Sequence, residues 1–375
     1  MATTAAPNSA PAATADFLPI ENWDHIEFYV GNARQAAHFY RLVFGFDVVA
    51  YRGLETGCRD RASYVLKQGN ITFVLTTALG PDCAVARHVA LHGDGVKVIA
   101  LKVRDVDAAL AETKRRGATV LQPATTLRDD SGELRIGTIK VYGDTVHTFV
   151  QRGDYRGAFM PGYAPASWPK APAVGLAAID HMVGNVELGA MNHWVSFYRD
   201  VMGFSQLAHF SDQDISTEYS ALMSKVMENG NGRVKFPINE PAEGRRKSQI
   251  EEYLDYYHGP GVQHIAMNTK DICATVRALR SHGVQFLRVP DAYYDALLSR
   301  VGKINEDVSE LRELGVLVDR DDEGYLLQIF TQPVQDRPTL FFEIIERHGS
   351  RGFGVGNFKA LFISIEEEQR RRGNL

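Results

Sequence analysis

Three side chains in the second half of the chain have the types and placing of a metal-ligand set. They are His181, His264 and Glu343, separated by 83 and 79 residues, each inside a short run with the character of a β-strand. Two imidazoles and one carboxylate can hold one face of a non-haem Fe(II) ion and leave the opposite face open to substrate and oxygen. Glu343 stands in the middle of the apolar run "PTLFFEIIERHG" (Pro338 to Gly349). A carboxylate buried without a counter-charge takes up a proton or costs several kcal/mol, and a cation would neutralise it. The same residues allow blander accounts: a strand histidine is often a hydrogen-bonded core residue, and Glu343 could pair with Arg347.

An internal repeat sharpens the choice. "WDHIEFYVGNARQAAHFYRLVFGF" (Trp23 to Phe46) aligns with "IDHMVGNVELGAMNHWVSFYRDVMGF" (Ile179 to Phe204), and "HGDGVKVIALKVRDVDAALAETKRRGATVL" (His92 to Leu121) aligns without a gap with "HGPGVQHIAMNTKDICATVRALRSHGVQFL" (His258 to Leu287). The chain therefore reads as a duplication. His25 matches His181, but Val98 stands where the second copy has His264, and "HTFVQR" (His147 to Arg152) offers no carboxylate to match Glu343. Only the second copy has the full donor set. His25 then reads as a core or relic residue, and the remaining histidines as structural ones.

The elements that must position these residues follow from periodicity. Met191, Trp194, Val195, Tyr198 and Met202 recur at helical spacing up to Gly203, "KDICATVRALRSHG" is a second amphipathic helix, and "VQHIAMNT" and "TLFFEIIE" have strand length and composition. Period-two alternation puts Val262, His264 and Ala266 on one face, Phe341, Glu343 and Ile345 on another, and Leu326, Gln328 and Phe330 on a third. Near the C-terminus, Asn357 is placed to cap a helix carrying Phe358, Leu361, Phe362 and Ile365 after the glycine-rich "RGFGVG". Such a helix would serve as a lid over the site. Short strands interleaved with one helix per unit point to α+β modules whose curved sheets pair.

Composition bounds the partners. The chain has 375 residues, 45% of them hydrophobic, with a net charge of −5 and no long basic run, so a small molecule is expected rather than nucleic acid or a membrane. Three cysteines without a CxxC pair fit reduced thiols in a cytoplasmic protein. The expected organisation is a disordered tail over 1–16, a metal-free domain over 17–159, a Pro/Ala/Gly-rich linker over 160–175 and a catalytic domain over 176–375.

"DHMVGNVELGAMNHWVSFYRDVMGF", "KFPINEPAEGRRKSQIEEYL", "GPGVQHIAMNT", "DEGYLLQIFTQPVQDRPTLFFEIIERHG" and "GFGVGNFKALFISIE" together resemble the 4-hydroxyphenylpyruvate dioxygenase family, of the bacterial type. The resemblance implies the vicinal-oxygen-chelate fold, with tandem βαβββ modules forming two open barrels. It implies one Fe(II) per chain on His181, His264 and Glu343, with 4-hydroxyphenylpyruvate and O2 as partners and assembly as a homodimer or homotetramer. It also implies catalytic roles for Gln249, Gln263 and Gln328, and substrate contacts by Ser224, Asn239, Phe330, Phe341, Phe353, Asn357 and Phe358. The implied reaction is decarboxylation, ring hydroxylation and side-chain migration to homogentisate and CO2. A 4-hydroxymandelate synthase acting on the same substrate and a non-enzymatic small-molecule-binding protein of the same fold are the alternatives.

Overall fold

Four βαβββ units follow one another in a computed structural model that describes residues 16–211, 221–242, 244 and 246–374. The tail expected over 1–16 falls, except for Asp16, outside the described residues. The first unit is β1 (Ile20–Tyr29), α1 (Ala33–Phe44), β2 (Asp47–Arg52), β3 (Arg61–Gln68) and β4 (Ile71–Ala78). Helix α2 (Ala84–His92) leads to the second: β5 (Gly95–Val103), α3 (Val106–Arg115), β6 (Val120–Asp129), β7 (Gly132–Lys140) and β8 (Val146–Gln151). Two residues inside the stretch read as a linker, β9 (Ala164–Pro165), add to the edge of the first sheet beside β2.

The third unit is β10 (Ala178–Asn185), α4 (Met191–Ser196), β11 (Ser205–Phe210), β12 (Ala221–Glu228) and β13 (Lys235–Ala242). Helix α5 (Gln249–Tyr257) leads to the fourth, in which β14 (Gly261–Asn268) and α6 (Ile272–Ser281) precede three short helices, α7 (Ala292–Asp295), α8 (Leu297–Val301) and α9 (Val308–Leu314). It closes with β15 (Leu317–Arg320), β16 (Tyr325–Phe330) and β17 (Phe341–His348), and α10 (Phe358–Arg372) ends the chain.

Each half forms one mixed, open sheet, ordered β6-β7-β8-β5-β1-β4-β3-β2-β9 and β11-β12-β13-β10-β14-β17-β16-β15. The opening strands of two units pair antiparallel at the centre, and each also pairs in parallel with the last strand of its own unit. Both sheets therefore curl about the row of residues contributed by these central strands.

Local chemistry explains the helices. Asn32, Asp105 and Asp271 each accept a hydrogen bond from the backbone N–H three residues on, at 3.0, 2.9 and 2.8 Å, which satisfies a donor that the first helical turn leaves free. The helix read from Met191 to Met202 is α-helical only to Ser196 and widens into a π-turn over Phe197–Val201. Asn357 departs from expectation. It precedes α10 but caps nothing, because its backbone is already helical (φ −96°, ψ −15°) and its Oδ1 instead accepts from the Tyr293 hydroxyl at 2.6 Å.

One apolar cluster runs through both halves, including Phe28, Phe44 and Phe73 from the first and Phe236, Ile265 and Phe342 from the second. Phe342 meets Phe44 and Tyr40 of α1 at ring-centroid distances of 5.1 and 5.9 Å. Each such pair contributes roughly 1 kcal/mol beyond its buried area. The strand that carries Glu343 thus rests on the first half.

Candidate metal centre and ligand pocket

Strand register brings the three donors together. His181 on β10 and Glu343 on β17 both lie opposite Ala266 on β14, one on either side, and His264 stands two residues along β14 from that alanine. A methyl group at position 266 leaves room between the flanking side chains. His181 Nε2 is 3.2 Å and His264 Nε2 3.4 Å from the same Glu343 Oε2, and all three residues are buried. Donors held about 2.1 Å from one cation stand about 3.0 to 3.4 Å apart, so the triplet fits a metal ion.

Two β-bulges aim the side chains. In the β10–β14 ladder Asp180 is an extra residue between Ile179 and His181, and Gln263 an extra residue between Val262 and His264. A bulge lets neighbouring residues point the same way, which a regular strand forbids. Asp180 can therefore accept from His181 Nδ1 at 2.8 Å, and Gln263 Oε1 from His264 Nδ1 at 3.1 Å. With each Nδ1 donating, each ring can present the lone pair of its Nε2 to a cation held beside Glu343. The second bulge also corrects simple alternation: Val262 joins the main core with Ile265 and Met267, and Gln263 faces the cavity in its place.

Burial alone would raise the Glu343 carboxyl, but the two imidazoles outweigh it and hold the group at about 2. Burial would likewise strip the proton from His181, yet Glu343 and Asp180 together raise its pKa. At His264 burial prevails and the pKa falls. Arg347 is not the partner of Glu343. Its guanidinium makes two 2.8 Å bonds to Asp180, which removes the simple ion-pair account of the buried glutamate.

The donors open into a cavity enclosed by the second sheet, α5 and α10. Ser224, Asn239, Gln249 and Gln263 supply its polar groups, Ser224 and Asn239 as direct partners on β12 and β13. Gln249 opens α5, whose start is fixed by a reciprocal pair in which Ser248 Oγ accepts from Glu251 N (3.2 Å) and Glu251 accepts from Ser248 N (2.7 Å). Phe330, Phe341, Phe353 and Phe358 contribute aromatic wall. Phe341 stacks on His264 at 4.8 Å, and Phe353 stands edge-on to His181 at 5.0 Å. Phe210 and Phe362 line the wall as well, although nothing in the sequence marks them as substrate contacts.

Two expected site residues lie behind the lining. Gln328 is buried under Gly354, where φ is +74° and an added Cβ would come within 2.5 Å of the Gln328 Oε1. Asn357 is fully buried against Tyr293 and Arg300. Asp180 was not singled out from sequence, although Asp-His recurs in both copies at Asp24-His25 and Asp180-His181.

In the first half Val98 pairs with Val146 and Ala100 with Thr148, so Val98 and Thr148 take the places of His264 and Glu343 beside His25. Of those three positions, the first barrel has a possible ligand only at His25. Two other donor triplets occur among the described residues. In one, His92 bonds to the Tyr257 carbonyl (2.5 Å) and to Asp144 (3.0 Å), while the Lys97 ammonium lies on the Asp144 carbonyl and opposes a cation. In the other, Glu346 accepts from His348 (2.9 Å) and from Ile272 N (2.8 Å) at the start of α6. Neither lines the cavity.

Residues 22–136 and 178–329 match the glyoxalase/bleomycin resistance protein/dioxygenase superfamily. The chain is 44% identical to a 4-hydroxyphenylpyruvate dioxygenase of Aspergillus fumigatus, covering 100% of this chain and 99% of that one. It is 48% identical to one from Caenorhabditis briggsae over 94% of this chain and 93% of the other. These relatives are eukaryotic and lend no support to a specifically bacterial type. Among solved structures, a mutant of 4-hydroxymandelate synthase from Streptomyces coelicolor superposes with a TM-score of 0.84 at 35% identity, covering 94% of this chain and 100% of the other.

Proposed function

Because this chain belongs to the glyoxalase/bleomycin resistance protein/dioxygenase superfamily and, within it, to the 4-hydroxyphenylpyruvate dioxygenases, we propose that it converts 4-hydroxyphenylpyruvate and O2 to homogentisate and CO2. The ligands would be His181, His264 and Glu343, holding one Fe(II) per chain. The observation that carries this reading is their convergence on one carboxylate oxygen inside an aromatic-walled cavity, in only one of two duplicated barrels.

Bound iron supplies the redox chemistry and an electrophilic anchor for the α-keto acid. Loss of CO2 turns the keto acid into a new carboxylate and takes up one oxygen atom, and the ring hydroxyl takes up the other. The protein holds the geometry. Asp180 and Gln263 fix the two imidazoles, Ser224, Asn239, Gln249 and Gln263 offer hydrogen bonds to the two polar ends of the substrate, and the phenylalanines exclude water and grip the ring. Gln328, beneath Gly354, and Asn357, held by Tyr293 and Arg300, act from behind the wall.

Anaerobic loading with Fe(II), followed by 4-hydroxyphenylpyruvate and O2, should give homogentisate. The likeness to 4-hydroxymandelate synthase keeps a second outcome in view, since 4-hydroxymandelate would move the assignment to oxidation of the benzylic carbon. Ligand binding without oxygen uptake would overturn the enzymatic reading.

A further inference from the structure

We propose that Arg347 is a positioning residue that ties the metal ligand His181 to the segment closing the pocket. The inference rests on the triad reading above. Arg347 uses both edges of its guanidinium. Nε and Nη2 donate to the two oxygens of Asp180 at 2.8 Å each, a bidentate pairing that fixes the carboxylate in plane. Nη1 donates to the carbonyls of Ser350 (3.2 Å) and Gly352 (2.7 Å), immediately before Phe353. The guanidinium also lies 5.7 Å from the Phe353 ring centroid. Asp321 grips the same turn from the other side, accepting from Ser350 Oγ (2.5 Å), Arg351 N (2.9 Å) and Gly352 N (2.7 Å). A shift in residues 350–353, which lead into α10, therefore reaches His181 through two rigid contacts.

The first half contains the same strut without the metal set. Arg152 donates from Nε and Nη2 to Asp24 at 2.7 Å each and from Nη1 to the Phe159 carbonyl at 2.5 Å. Asp24 accepts from His25 Nδ1 at 2.7 Å, and Phe159 stands edge-on to His25 at 5.0 Å. The bulge recurs as well, with Asp24 the extra residue between Trp23 and His25. Because Val98 and Thr148 replace the other ligands there, the Asp24, His25 and Arg152 strut serves only the fold. It is an internal control for the part of Arg347 that is merely structural.

Lysine keeps the charge of arginine but loses the planar fork. Arg347→Lys and Arg152→Lys should be compared for Mn2+ dissociation constant, the visible absorption of Co2+-loaded protein, homogentisate formed per O2 consumed, and thermal midpoint. Both should lower the midpoint. Arg347→Lys alone should raise the Mn2+ dissociation constant about 10- to 100-fold, shift the Co2+ bands and lower the product yield per O2. If Arg347→Lys proves too unstable, Asp321→Asn frees residues 350–352 without touching Asp180 and should shift the Co2+ bands in the same direction. Wild-type Co2+ bands in Arg347→Lys or in Asp321→Asn, or the same metal effects in Arg152→Lys, would overturn the proposal. Failure of the wild-type chain to bind Mn2+ at all would instead remove the triad reading.

Discussion

His181 Nε2 and Glu343 Oε2 stand 3.2 Å apart on the two strands that flank Ala266. The carboxylate is shared with His264, so its removal should dismantle the donor set rather than weaken one bond. Glu343→Gln should bind no Fe(II) or Mn2+ where the wild type should bind one equivalent per chain, and turnover should fall by at least about 10³-fold. Metal analysis of dialysed protein checks it, with His25→Ala as the comparison that should retain its full equivalent.

Ala266 offers a subtler test. It is fully buried between His181 and Glu343 in the strand register, and its side chain is a single methyl. Ala266→Val adds two methyl groups there, for a cost of about 1 to 3 kcal/mol of folding stability. The added bulk should also push His181 and Glu343 apart, raising the metal dissociation constant about tenfold or more. Calorimetric titration with Mn2+ beside a thermal melt separates the two effects.

What could be read from the residues alone followed from the duplication. Comparing Val98 with His264, and "HTFVQR" with "FFEIIER", isolated a donor set that the fold does bring together. The unit pattern was legible for the same reason, since helix periodicity and strand alternation recur in register. The bulges were not. An extra residue at Asp180 or Gln263 is defined by the partner strand, so period-two counting placed Val262 toward the pocket and left Asp180 unnoticed. Arg347 lay within reach of Glu343 in sequence, yet its bond goes to a carboxylate 167 residues away. Gln328 and Asn357 came from resemblance, which identifies positions but does not distinguish a wall from the layer behind it.

His147 predicts a pH dependence of stability. It is fully buried, its Nε2 is 2.9 Å from the Tyr198 hydroxyl of the other half, and burial depresses its pKa from 6.5 to about 3. The folded state must therefore hold it neutral while the unfolded chain protonates near 6.5. Its contribution is fully present above pH 6.5 and is lost as pH falls toward 3, amounting to about 3 kcal/mol by pH 4. Denaturant unfolding at pH 7 and pH 4 should show that loss in the wild type. In His147→Gln the difference between the two pH values should shrink, whatever the variant's absolute stability.

The last helix is fastened at both ends. Phe358, Leu361 and Phe362 face the cavity, while at the far end Arg372 donates to Glu252 from Nη2 (2.8 Å) and Nε (3.1 Å), and Asn374 Nδ2 adds a bond of 2.7 Å. Glu252 is buried on α5, the helix that begins with Gln249, so closure of α10 and placement of a polar pocket residue share one anchor. A lid held this way keeps water from the oxidation without touching the metal ligands. Removing residues 357–375 should leave Mn2+ binding within about threefold of the full chain but let oxygen uptake run ahead of homogentisate. Arg372→Ala should do the same more weakly, with faster amide exchange along α10 as the sign of opening. Full turnover with unaltered product per O2 in the truncated chain would show that α10 is a packed terminal helix and not a lid.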